Sequence, residues 1–200
     1  MRCLTQIAAL SLLAGSLFAQ ELERPADWMV RYDRPSNDSV YFVTMTPGWH
    51  ITTGPAGIFY DPATTAQGEY RVSSEIYLFP GERREGFGIF IGGNELNGER
   101  QSYVYFLIRK DGRFIIKRRN GNETPTITPW TENPAIVRQS GDEQAKNVLE
   151  IDVGAEQLEF FVNGVVVAKL PRGDLRTDGI VGLRVNHHLN LHVTNLTIGQ

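Results

Sequence analysis

The chain has 200 residues, a formal charge of −3, 10% aromatic side chains and a single Cys. That length supports one domain with a substantial core, and the aromatic and β-branched content excludes a disordered chain. A charge so near neutral excludes an electrostatic nucleic-acid binder, which needs a basic surface to displace counterions.

In chain order, the first expected element is an export signal. Met1-Arg2-Cys3 precedes an apolar run from Ile7 to Phe18, and Leu17-Phe18-Ala19 closes it before the polar Gln20-Glu21. One basic residue, a short apolar run and a small residue at the break match a secretory signal, and the run is too short to span a bilayer. Cleavage near Ala19 would remove the only Cys and one Arg, leaving 19 Lys and Arg against 23 Asp and Glu, a charge of −4. Cys3 precedes the apolar run and is not placed for lipid attachment. The expected mature protein is secreted or periplasmic, free of disulfides and without a membrane span. Residues 20–35 read as a Pro-containing lead, and residues 36–200 as one domain.

From Val40 onward apolar positions alternate with period two, Gly, Asn and Asp punctuate them, and no stretch keeps helical spacing. Strands are expected over Val40–Thr44 and Trp49–Thr52, then over a long stretch in which Tyr70, Val72, Ser74, Ile76 and Leu78 share one face. Phe87, Ile89 and Ile91 alternate with Gly88, Phe90 and Gly92, a pattern for a strand covered on both faces. Tyr103–Arg109 and Phe114–Arg119 flank Asp111-Gly112, a strong hairpin signal because these residues accept positive φ at little cost. In this hairpin Val104, Phe106 and Ile108 face one way, and Tyr103, Tyr105, Leu107 and Arg109 the other. Val148–Val153 and Leu158–Val162 follow, Asn163-Gly164 turns the chain into Val165–Leu170, and Ile180–Val185 and Leu189–Ile198 close it. Roughly a dozen strands with turns at this spacing predict an all-β, two-sheet antiparallel sandwich.

Three segments carry a family resemblance: Asn147–Val153, then Leu158-Glu159-Phe160-Phe161-Val162-Asn163-Gly164-Val165-Val166-Val167, then Gly179-Ile180-Val181-Gly182-Leu183-Arg184-Val185. This succession resembles the C-terminal half of concanavalin A-like jelly rolls, including laminin-G-like and glucanase-like members. The chain is also loosely similar to secreted proteins of the 3-keto-disaccharide hydrolase domain family, with no catalytic motif of that family matched residue by residue. The resemblance implies a hollow sheet face and its rim loops as a ligand site, most often for a glycan. A pyranose offers an apolar C–H face for Trp or Tyr and a hydroxyl fringe for Asn, Asp, Arg or His.

Tyr103, Tyr105 and Arg109 share a strand face, with Arg118 or the neighbouring Lys117 and Arg119 on the paired strand. A platform of this kind can stack a sugar or hold an acidic group, and the same residues can equally be core Tyr rings with snorkelling Arg. Asn186-His187-His188 is expected as a polar rim turn, flanked by Arg184, Asn190 and His192, with a plain solvated turn as the alternative. Trp49-His50 and Trp130 are further stacking candidates, against the ordinary reading of Trp as core.

Glu150-Ile151-Asp152-Val153 resembles the laminarinase-type motif, but Gly154 or Ala155 stands where the second Glu is needed. Retaining hydrolysis requires two carboxyls about 5 Å apart, so the motif is broken and Glu150 and Asp152 read as a solvent-facing row. His188 and His192, four residues apart on an extended chain, are about 13 Å apart and cannot share one ion. No metal or other cofactor is expected; calcium, frequent in jelly rolls, stays open as an alternative, although no Asp-rich loop offers the oxygen cluster it needs. The leading expectation is an exported module binding a polysaccharide or oligosaccharide. The alternatives are a glycan-cleaving hydrolase using Glu75, Glu85 or Glu150, and a structural or protein-interaction domain of the cell envelope.

Overall fold

A computed structural model describes residues 22–199; the expected signal segment lies outside the described residues. The strands are β1 (Met29–Tyr32), β2 (Val40–Thr44), β3 (Trp49–Thr53), β4 (Gly57–Tyr60), β5 (Thr65–Ala66), β6 (Tyr70–Leu78), β7 (Phe87–Asn94) and β8 (Ser102–Arg109). They continue with β9 (Arg113–Asn120), β10 (Thr126–Glu132), β11 (Ala145–Val153), β12 (Gln157–Val162), β13 (Val165–Pro171), β14 (Gly179–Val185), β15 (Asn190–Val193) and β16 (Thr197–Gly199). The first sheet has the order β1-β4-β14-β7-β8-β9-β10 with β5 beside β14, and the second the order β13-β12-β11-β6-β15-β3-β2 with β16 beside β6. Strands β1 to β4 already pass between the two sheets, and the paired strands run antiparallel. The fold is a jelly-roll sandwich of the concanavalin A-like kind.

Alternation explains the main core. In β6 the odd-face residues Glu, Arg and Tyr stay at least partly exposed while Tyr70, Val72, Ser74, Ile76 and Leu78 are buried. They meet Val104, Phe106 and Ile108 of β8 and Leu183 and Val185 of β14 between the sheets. Phe106 packs edge-on against Phe160 of the opposite sheet at 5.3 Å, the geometry favoured by the ring quadrupoles.

Four strands escape an alternation reading, and the reasons are physical. β4 is buried on both faces, with Phe59 in the main core and Ile58 and Tyr60 beyond the first sheet, so its sequence does not alternate. β1 lies in the segment read as a lead and pairs Met29–Tyr32 with β4, so the sheet begins ahead of residue 36. β5 is two residues long, and β10 contains Pro129 and pairs irregularly with β9, which an edge position tolerates. The expected single strand Leu189–Ile198 is split: Val193 faces Ile76 while Thr197 faces Ser73, one residue more on the outer side, and this bulge separates β15 from β16.

The outer face of the first sheet carries a second apolar cluster of Tyr60, Phe90, Leu96, Tyr103, Tyr105 and Leu107, among others. The segment following β7 is drawn onto it. Leu96 is buried there, the Tyr60 hydroxyl donates to Asn97 Oδ1 at 2.6 Å, and an Arg31 guanidinium nitrogen donates to the Leu96 carbonyl at 2.6 Å. Gly182 makes room for Phe90, since a Cβ there would stand 2.5 Å from the ring. One end of this face is therefore filled by the protein's own side chains, and the other end is open.

Candidate functional site

The open end begins at the β8–β9 hairpin. Its register sets Tyr105 opposite Lys117 and Tyr103 opposite Arg119, and directly opposed residues project on the same face. Lys117 and Arg119 therefore stand with the two Tyr rings. Arg118 points the other way and meets Asp174 at 3.0 Å, so the expectation that it joins the platform is corrected by the pleat.

Between these strands, β10 and β14 lies a groove of about 560 Å³. Tyr105, Leu107, Ile115 and Trp130 supply its apolar surface, and Lys117, Arg119, Arg184, Asp33, Asn122 and Asn186 its polar surface. Trp130 is held from one side by Arg109, whose guanidinium carbon lies 4.4 Å from the ring centroid and whose Nε donates to Asp111 at 2.7 Å. Arg109 thus braces the groove wall and does not line the groove. Tyr103 is buried beside Phe90 at 5.1 Å and offers no stacking surface, which corrects the platform expectation for that ring.

Arg184 is the electrostatic centre. Its two terminal nitrogens donate to the two carboxylate oxygens of Asp33, which follows β1, and its guanidinium lies 5.6 Å from the Tyr105 centroid. Burial pushes the Asp33 carboxyl upward, but the Arg184 hydrogen bond and charge, with Arg119 and His187, outweigh it and hold it below the ordinary value. Burial likewise opposes the charge on Arg184, and Asp33 more than restores it. The Tyr105 phenol is pushed up to about 12, chiefly by burial, and stays protonated as a neutral donor and acceptor. Lys117 is pushed down by burial and by the charges of Arg184 and Arg119, and its ammonium donates to Thr124 Oγ1 at 3.3 Å.

Hydrogen-bonding capacity around the groove is incompletely used. Among the described residues Arg119 Nε, Arg184 Nε and Asn186 Oδ1 are buried without a partner. A buried polar atom left unmatched costs about 1–3 kcal/mol, so such atoms mark places where a guest's polar groups gain.

The remaining candidates are dispersed. Of the turn Asn186-His187-His188, Asn186 alone lines the groove. Its carbonyl accepts from Thr53 Oγ1 at 2.7 Å, and the next two residues fan away. His187 borders a hollow with Arg34 and Pro55, and His188, at φ 54°, a smaller one with Thr52 and Phe79. Trp49, partly buried, packs on Trp28 at 4.5 Å against the main core and lies away from the groove. His50 lies on the second sheet, opposite His192 across the β3–β15 pair, and is pushed down by burial and then by the His192 charge.

The candidate acids also lie elsewhere. Glu75 meets Lys146 at 2.9 Å, Glu150 and Asp152 face Arg71 on the second sheet, and Glu85 does not border the groove. Asp33 is the one carboxylate that lines the groove among the described residues, and Arg184 occupies both its oxygens. The two-carboxylate arrangement of glycoside hydrolysis is thus not assembled there. Among the described residues no three His, Cys, Asp or Glu side chains converge on a point that could hold a metal.

Of the alternatives offered for the paired strand, the register selects Lys117 and Arg119, as counting outward from the Asp111-Gly112 turn also gives. Asp33 offered no such signal, because its partner is 151 positions away.

No protein-family model matches the chain. No curated protein matches it in sequence. Solved structures do match it in fold. The carbohydrate-binding module CBM66 from Bacillus subtilis superposes with a TM-score of 0.65 at 9% identity, over 87% of this chain and 96% of that one. A Bacillus subtilis protein of unknown function with a galectin-like fold gives 0.63 at 12% identity, over 87% and 89%. A Bacteroides ovatus GH16 protein of a mixed-linkage glucan PUL, solved in complex with a product, gives 0.62 at 8% identity, over 89% and 97%. The shared property is the jelly-roll sandwich that carbohydrate-binding modules, galectin-like proteins and GH16 proteins have in common.

Proposed function

We propose that the protein is an exported carbohydrate-binding module whose ligand site is the groove on the outer face of the first sheet. The observation that carries this reading is the groove's composition: the half-buried Trp130 and the nearly buried Tyr105 beside a ring of Lys117, Arg119, Asn122, Asn186 and Arg184. The exposed part of Trp130 suits the C–H face of a pyranose, and the polar ring suits its hydroxyls. The size falls within that of ordinary small-ligand sites, about 300–1,000 Å³. A jelly-roll neighbour whose name denotes carbohydrate binding, CBM66, supports it, and among the described residues Asp33, the one carboxylate lining the groove, is held by Arg184. Export is supported by the first 19 residues.

Affinity gel electrophoresis against a panel of soluble polysaccharides tests the reading. Retardation by at least one polysaccharide is expected, weakened about tenfold in Trp130→Ala, because one lost stacking partner is worth about 1–2 kcal/mol. Migration unaffected by any polysaccharide, or retardation that Trp130→Ala leaves intact, refutes the site.

A further inference from the structure

We infer that the groove selects an acidic saccharide, one whose rings carry a carboxylate or sulfate. This rests on the saccharide reading above and adds the charge of the guest. Four cations, Arg34, Lys117, Arg119 and Arg184, line the groove against the single carboxylate of Asp33. The excess is local, since the whole chain has a formal charge of −3. Asp33 is spent on Arg184, and among the described residues neither Lys117 nor Arg119 has an acidic partner.

The placement of these groups suits an oxyanion. Lys117 and Arg119 stand two residues apart on one strand face, about 6–7 Å, a span that one carboxylate or sulfate can bridge with charge-assisted bonds. Arg119 makes no side-chain hydrogen bond among the described residues, and its buried Nε lacks an acceptor. Arg184, more than nine-tenths buried, likewise has an Nε without an acceptor. Burial, and after it the like charges of Arg184 and Arg119, push Lys117 down, and a seated anion would relieve the repulsive part. A bare inorganic anion would leave the exposed part of Trp130 uncovered, whereas an anionic sugar uses both parts of the groove.

The probes are polygalacturonate, its fully methyl-esterified form, chondroitin sulfate and neutral laminarin, each compared by affinity electrophoresis and calorimetry on the full protein. The esterified and free forms share one backbone and differ in charge. Binding to polygalacturonate or chondroitin sulfate is expected: polygalacturonate reports a carboxylate alone, and chondroitin sulfate, which carries carboxylate and sulfate together, reports that sulfation is needed only where polygalacturonate does not bind. Binding should weaken about tenfold or more in Lys117→Gln/Arg119→Gln, and persist in Arg83→Gln/Arg84→Gln, which removes two exposed charges outside the groove. If the double variant does not fold by circular dichroism, Arg119→Gln alone carries the comparison. Equal binding of free and esterified polymer, or binding of laminarin alone, overturns the acidic selectivity and leaves the saccharide reading standing. Polyanion binding that Arg83→Gln/Arg84→Gln reduces as much as the groove variant also overturns it. Failure to bind any of the four probes overturns the acidic selectivity; failure across the wider panel overturns the parent reading as well.

Discussion

Removal of the Asp33 carboxylate is the perturbation whose consequence follows most directly from the geometry. Arg184 has a side chain 8% exposed and Asp33 one 28% exposed, so Asp33→Ala leaves a buried guanidinium without a counter-charge. Breaking a buried pair from one side costs about 3–5 kcal/mol, and the partial exposure of Asp33 lets water take up part of the loss, which places the expected cost at about 2–3 kcal/mol. For a domain of this size that is a fall in Tm of about 4–12 °C, measurable by calorimetry with urea unfolding as a second assay. Asp33→Asn keeps one acceptor oxygen and should lose less. Asp33→Ala combined with Arg184→Met removes both charges and should recover at least half of the single-variant loss, because no charge is then stranded. The pair also sets a pH dependence. The folded carboxyl titrates below its unfolded value of about 3.9, so the unfolded chain binds more protons between the two, and the stabilisation present above about pH 4 is lost as the pH falls through the folded value. A change under about 0.5 kcal/mol in Asp33→Ala, or a double variant as unstable as the sum of the singles, would refute the account of Arg184 as a buried and fixed charge.

Gly182→Ala should destabilise the fold by about 1–3 kcal/mol in urea unfolding, since its Cβ would meet both the Phe90 ring and the Phe59 carbonyl at 2.5–2.6 Å; an unchanged midpoint would show that the outer cluster is loosely packed. In an ultraviolet titration, Tyr60, Tyr70, Tyr103 and Tyr105 should resist ionisation at pH 10–11, because burial raises all four. Their folded values lie above the unfolded one, so the stability they support is complete below about pH 10 and declines above it. For His50, burial and then the His192 charge depress the folded value. The unfolded chain therefore binds more protons below about pH 6.5, and stability should fall as acid is added through that range, an effect that His50→Gln removes. A flat profile between pH 7 and 5 in the unmodified protein would contradict it.

Much of this molecule can be read along the chain because alternation is a local property. Tyr70 to Leu78 reveal their buried face by spacing alone, and Asp111-Gly112 fixes the register of β8 and β9, from which Lys117 and Arg119 follow as neighbours of the Tyr rings. The same locality limits the reading. Tyr103 and Tyr105 sit on one strand face with the same spacing, yet Leu96 and Phe90 share the cluster that buries the first, while the groove reaches the second. Trp49 and Trp130 look alike as candidates, and packing on Trp28 turns one of them against the main core, away from the groove.

The sandwich and its strand faces were determined by the amino-acid sequence itself, through hydrophobic period and turn chemistry acting over a few residues. Which end of the outer face stays open, and which charges gather there, was decided by pairings between distant segments: β1 beside β4 brings Asp33 to Arg184, and the crossing of the 95–101 segment fills the other end. Those contacts depend on the mutual burial of groups far apart in the chain, a free energy that exists only once the sheets have assembled.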